Sequence, residues 1–222
     1  MIVEIVGLPG VGKSTIIKNL QKNYNYQNKI NFIGKKKCTY GVKAFEIFKF
    51  FIRLMFFYPK IIFDIRLSSW LLGKISLRLC SYRNNIKKEL CILNEAGVLM
   101  PIISFIIQWD KSSYELDLNK IISALPLPDV VIFIEADVNI VVDRYENRGG
   151  VKIHGKRERY PVKKDAELYR RFLLGHSVLL GLQDVLKKKK CTVITINNND
   201  NVECEEITHA IFHKLIARLN SV

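Results

Sequence analysis

Gly7-Leu8-Pro9-Gly10-Val11-Gly12-Lys13-Ser14 stands between Ile2-Val3-Glu4-Ile5-Val6 and Thr15-Ile16-Ile17-Lys18-Asn19-Leu20-Gln21-Lys22, and this junction decides the fold. The residues before it are almost all apolar, the pattern of a strand buried on both faces of a parallel sheet. After it, Ile16, Ile17 and Leu20 share one side of a helix predicted over 14–22. Between them the spacing satisfies GxxxxGK[ST] in the strand–loop–helix context that gives the pattern meaning. Glycines let several backbone N–H groups turn inward as an anion nest at a helix N-terminus. Lys13 adds a mobile cation for β- and γ-phosphates, and the Ser14 hydroxyl is a ligand for Mg²⁺. Gly7, Pro9, Gly10, Val11, Gly12, Lys13, Ser14 and Thr15 are therefore expected to hold a nucleoside triphosphate. A chance glycine-rich turn is the competing reading, and the flanking strand and helix count against it. The motif names a ligand and leaves the reaction open.

Working outward, Leu90–Leu93, Val130–Ile134 and Thr192–Ile196 are further short apolar strands. Helices are expected at 42–58 and 60–79, separated by Pro59, and from about Val98 with Pro101 in the first turn. Others are expected from an Asp137 N-cap through Arg148, up to Leu186, and over 202–219. Strands alternating with helices define an α/β doubly wound parallel sheet. At 222 residues the chain is read as a single domain, 1–222, with a helical basic segment at 35–88 and a basic lid at 149–162.

Composition excludes several classes. Hydrophobic residues at 49% and charged residues at 25% are ordinary for a globular chain, so wholesale disorder is excluded. The five cysteines form no CxxC pair, which fits reduced thiols better than a disulfide scaffold. The amino terminus lacks the pattern of a secretory leader, and the longest apolar stretch, Ile47 to Tyr58, is too short to span a bilayer and contains Lys49 and Arg53. A cytoplasmic location is expected, with contact to the inner membrane face as the alternative.

The net charge of +14 is concentrated. Residues 35–90 hold thirteen Lys and Arg against three acids, and 144–171 hold ten against four. Two basic segments around an acidic one suit the walls of a cleft for anionic ligands. A nucleic-acid or anionic-lipid surface would look alike, and a merely soluble lysine-rich surface is the bland reading.

Three features narrow the reaction. Asn94-Glu95-Ala96-Gly97 follows a short strand, where ligands of open α/β sheets bind. Arg144 and Arg148 stand at i, i+4 and lead into Lys156, Arg157 and Arg159. Asn197-Asn198-Asn199-Asp200 follows the last strand, where Asn198 and Asp200 are placed to border a nucleotide base. Together these resemble the nucleoside and nucleotide kinase branch of P-loop proteins, especially thymidylate-kinase-like enzymes, over residues 1–22 and 129–219. The resemblance implies ATP and Mg²⁺ as cofactors and a small, anionic acceptor opposite the P-loop. It also implies a lid whose arginines, here Arg144, Arg148, Arg157 and Arg159, stabilise charge on the transferring phosphoryl group. Where thymidylate kinases carry Asp-Arg-aromatic after the third strand, this chain has Asn94-Glu95-Ala96-Gly97, closer to an Asp-Glu-Gly variant with its first acid replaced. Asn94 cannot act as a base, so Glu95 is the candidate for positioning Mg²⁺ or taking the acceptor's proton; a helix-start carboxylate is its structural reading.

The reading is thus a kinase acting on a nucleoside or nucleotide, with Lys13 and Glu95 among its catalytic residues and Ser14 and Glu95 as metal ligands. A sugar or lipid-linked glycan acceptor is second, motivated by Phe45, Phe48, Phe51, Phe56 and Phe57 among Lys49, Arg53 and Lys60. The commoner outcome for such rings is core; a membrane-facing surface is the alternative. A homodimer is compatible with the pattern. A P-loop ATPase or regulatory protein binding a polyanion is the rival class, and a signalling GTPase comes last because no NKxD sequence occurs. His209 and His213 have metal-ligand spacing without a third ligand or HExxH, and are expected to be ordinary helix residues. Lys35–Lys37, Arg66 and Arg83 are candidate acceptor contacts, and Lys187–Lys190 a solvated helix end. Nucleic acid is not expected as a partner: binding to unrelated DNA or RNA that weakens steeply with salt would identify the polyanion reading, and the kinase reading predicts none.

Overall fold

The computed structural model describes residues 1–24, 30–33, 48–49, 51–53, 56, 73–75, 78, 90–93, 97–109, 117–147, 166–199 and 204–220. Strands are β1 (Ile2–Val6), β2 (Ile30–Ile33), β3 (Leu90–Leu93), β4 (Val130–Glu135) and β5 (Thr192–Asn197). Helices are α1 (Lys13–Tyr24), α2 (Leu99–Trp109), α3 (Leu118–Ser123), α4 (Val138–Asn147), α5 (Ala166–Lys188) and α6 (Cys204–Asn220). The strands form one parallel sheet in the order β2-β3-β1-β4-β5. From β1 the chain moves outward to β2, returns to β3, and then crosses over β1 to β4. Connections that run in opposite directions with right-handed crossovers put their helices on opposite faces. Accordingly α1 packs with α6, whereas α2, α3 and α4 all pack on α5.

This arrangement explains the apolar strands. All five residues of β1 and the first five of β4 are buried, because helices cover both faces of the sheet. Ile16, Ile17 and Leu20 carry α1 into the core, and a Tyr24–Phe212 ring stack, 3.8 Å between centroids, ties its end to α6. Pro101 is the third residue of α2, inside the turn where a missing N–H leaves no bond unmade. Asp137 caps α4 as expected, its Oδ1 accepting from Asn139 N at 2.8 Å. A similar cap, Asp117 accepting from Asn119 N and Lys120 N, starts α3.

At the opposite edge of the sheet, Cys191 Sγ donates to the Pro128 carbonyl at 3.1 Å. Burial, followed by the Asp129 and Glu4 carboxylates, pushes its thiol from 9.0 up to about 11. It stays a neutral thiol at physiological pH, in keeping with an inert role. Cys91 is buried in β3.

Three sequence expectations change. β2 and α3 are elements that the sequence reading does not contain. The core placement of the aromatic stretch fails at two of its three described rings: Phe48 is 62% and Phe56 83% exposed, and Ile52 between them 49%. The reason is that the sheet and its flanking helices already fill the interior with Ile, Val, Leu, Phe105 and Phe133. Phe51 is half-buried; Phe45, Phe57, Pro59, Lys60, Lys35–Lys37, Arg66, Arg83 and most of the 35–88 segment lie outside the described residues. No helix among the described residues is long and apolar enough to cross a membrane.

Phe133 is fully buried at the middle of β4, between β1 and β5. Phe133→Ala is expected to destabilise the fold by about 3–5 kcal/mol, since a cavity at this depth cannot collapse. Denaturant unfolding checks it.

Candidate functional site: a phosphate loop latched to the last strand

The loop between β1 and α1 lies at the carboxyl edge of the sheet. There the chain's path reverses between β1 and β3, the place where open parallel sheets open a crevice for ligands. Its shape depends on glycine. Gly10 and Gly12 have φ of 91° and 93°, which residues with a Cβ rarely adopt. Space is short as well: a Cβ on Gly10 would stand 2.8 Å from the Val141 carbonyl oxygen, and one on Gly12 2.5 Å from Asn198 Nδ2. The loop closes with Val11 N donating to Leu8 O at 3.3 Å. Gly12 O then accepts from Thr15 N and Ile16 N at 3.0 and 3.1 Å, opening α1.

Leu8 and Val11 are buried and anchor the loop from below, while Pro9, Ser14 and Thr15 are exposed. Lys13 Nζ donates to the carbonyls of Gly7 and Leu8, both at 2.7 Å. The ammonium is thereby folded back over the loop, beside the helix start whose amides favour an anion.

Asn198 is the residue that joins the parts. Its side-chain Nδ2 donates to Val11 O at 2.7 Å and its backbone N to Glu135 O at 2.7 Å. Its own carbonyl accepts from Arg144 NH1 at 3.1 Å. Asn199 adds a second tie, Oδ1 accepting from Asp137 N at 3.0 Å. One asparagine pair therefore connects the phosphate loop, the end of β4, the start of α4 and the half-buried Arg144. From sequence, Asn198 is expected at a nucleotide base; in the structure its amide group is on the loop backbone. No local pattern separates those two uses of an Asn after a strand.

Gly7, Pro9, Gly10, Val11, Gly12, Lys13, Ser14, Thr15, Asn198 and Arg144 are thus gathered at one edge. Glu95, Arg148, Arg157, Arg159, Asp200 and the 149–162 lid lie outside the described residues. His209 and His213 lie on the exposed side of α6 with their Nε2 atoms 3.0 Å apart. Among the described residues no group of three or more His, Cys, Asp or Glu is arranged to hold a metal. Sequence reasoning passed over Glu4; the signal was a lone acid in the middle of an otherwise apolar strand.

The parallel sheet with its β1–β3 reversal, and the GxxxxGK[ST] loop leading from β1 into α1, are a fold that the chain shares with solved structures. Solved structures similar to the chain are of deoxyadenosine kinase from M. mycoides. The one with bound dATP has a TM-score of 0.57 at 17% identity, covering 97% of this chain and 98% of that one. Two others, one with products dCMP and a flexible dCDP and one with bound dCTP, have TM-scores of 0.53 and 0.51 at 16% identity over the whole of both chains. Neither a protein-family model nor a curated protein matches the sequence.

Removing the latch tests this geometry. Asn198→Ala should weaken nucleotide binding about tenfold, the equivalent of roughly 1.4 kcal/mol, while the fold persists. Titration of the folded variant with the nucleotide measures it, and unchanged affinity would remove Asn198 from the account.

Proposed function

We propose that the protein is a Mg²⁺-dependent phosphotransferase moving the γ-phosphoryl group of ATP to a small acceptor, a nucleoside or nucleotide. The observation that carries this reading is the loop itself: it turns through positive φ at Gly10 and Gly12 at the start of α1, with Lys13 folded over it. Deoxynucleotides in the similar structures favour a deoxynucleoside acceptor.

In this reading the loop amides and the α1 N-terminus hold the β- and γ-phosphates, and Lys13 exchanges its carbonyl partners for phosphate oxygens. Phosphoryl transfer demands little covalent chemistry from the protein, so positioning and charge neutralisation carry the catalysis. Mg²⁺ is commonly held through substrate phosphates and one or two hard oxygens, a requirement that the exposed Ser14 hydroxyl fits, and it would neutralise phosphate charge. Glu95 is proposed to orient the metal or take the acceptor's proton. Arg157 and Arg159 are proposed to close over the donor from the 149–162 lid, with Arg148 immediately before it. Arg144, half-buried and bonded to Asn198, is proposed to act from the side of the donor nucleotide. Asn198 and Asp200 border the donor in the same proposal.

A second reading keeps the chemistry and changes the acceptor. Phe48, Ile52 and Phe56 are exposed beside exposed Lys49 and Arg53, a surface suited to a lipid-linked saccharide.

Lys13→Ala decides whether the loop performs the chemistry. Its turnover should fall at least about a hundredfold with the fold intact, the scale of removing a preorganised charge from a transition state. Near-normal turnover in a folded Lys13→Ala protein would reject the assignment.

A further inference from the structure

Glu4 is the one acid or base counted in the core among the described residues, at 1% exposure. It stands at the centre of the sheet, its Cα opposite Leu93 of β3 and Val131 of β4. Oε2 accepts from Val98 N at 3.1 Å and Oε1 from Leu99 N at 2.8 Å, both in buried surroundings. These amides open α2, which has no acid in its own first turn. A Cβ on Gly97 would overlap the Glu4 carboxyl group, so glycine is required there while Glu4 keeps its place.

A carboxylate is unfavourable in a core unless its oxygens are bonded and a positive field compensates. A helix N-terminus provides both. Capping alone would not call for this arrangement, because an Asn, Asp or Ser next to the helix caps it without burying a charge. A carboxylate reaching across from β1 adds a fixed span. It links the strand that runs into the phosphate loop three residues later, at Gly7, to the corner where the chain leaves β3 for α2. That corner adjoins the β1–β3 reversal, where a ligand crevice opens.

We propose that Glu4 is a positioning residue that sets the Gly97–Leu99 corner against the phosphate loop and thereby aligns the acceptor with the donor. The proposal rests on the kinase reading above. Glu95, proposed above to orient the metal or take the acceptor's proton, stands two residues before Gly97 in the sequence. With its first amides taken by a protein carboxylate, α2 presents a start already matched in charge, while the start of α1 serves the phosphates. One buried acid thus gives the two helix starts beside the crevice different tasks.

Glu4→Gln keeps the shape and removes the charge, leaving one oxygen where two amides need acceptors. In the folded variant the acceptor KM should rise about tenfold while the ATP KM stays within about twofold. Hydrogen exchange should accelerate at Val98 and Leu99 and remain unchanged across α1. Gly97→Ala pushes on the same carboxylate from the opposite side and should give the same split, which serves if Glu4→Gln does not fold. An unchanged acceptor KM, or equal rises for both substrates, overturns the proposal, as does faster exchange spread evenly over α1 and α2. A wild-type protein that phosphorylates no acceptor overturns the kinase reading instead, and the exchange pattern then decides on the corner alone.

Discussion

The hydrogen bond from Asn198 Nδ2 to the Val11 carbonyl, 2.7 Å long, is the contact on which the site most depends. A loop rich in glycine has many conformations open to it, and its inward-facing amides form an anion nest only if neighbours select one of them. Here the selection comes from several sides. Val141 stands where a Cβ on Gly10 would fall, Asn198 closes in on Gly12, and Lys13 spans the carbonyls of Gly7 and Leu8. Because Asn198 also bonds the end of β4 and Arg144, the loop takes its position from the far side of the sheet.

The sheet makes this convergence possible. β1 is central, and its neighbours β3 and β4 lead to helices on a different face from α1. The carboxyl ends of β1, β4 and β5 therefore bring residues from three distant segments to one edge. Parallel strands buried on both faces hold that edge rigidly, and Glu4 extends the hold to the start of α2.

Much of this was legible in the residues. The apolar run of β1, the GxxxxGK[ST] spacing and the Ile16, Ile17, Leu20 periodicity place the loop between strand and helix, as the structure does. β3, β4, β5 and the Asp137 cap follow from equally local signals. β2 escaped because its four residues, Ile30–Ile33, include a polar Asn31 and are too few to establish a period. The six residues of α3 are similarly brief, and its Asp117 cap lacks a long apolar run behind it. The contacts of Glu4 and Asn198 are invisible locally, since their partners are 94 and 187 residues away along the chain. Phe48 and Phe56 mark the converse limit: aromatic composition signals a preference for burial, yet both rings are exposed while the described core is built from other residues of the sheet and its flanking helices.

The central claim is that the latched loop serves phosphoryl transfer and does more than hold a nucleotide. The most direct measurement is transfer of labelled γ-phosphate from ATP, with Mg²⁺, to separate deoxynucleosides, nucleosides, nucleoside monophosphates, sugars and lipid-linked saccharides. The account predicts a labelled phosphoester on a nucleoside or nucleotide. Release of free phosphate indifferent to every acceptor, or tight ATP binding with no turnover, would contradict it.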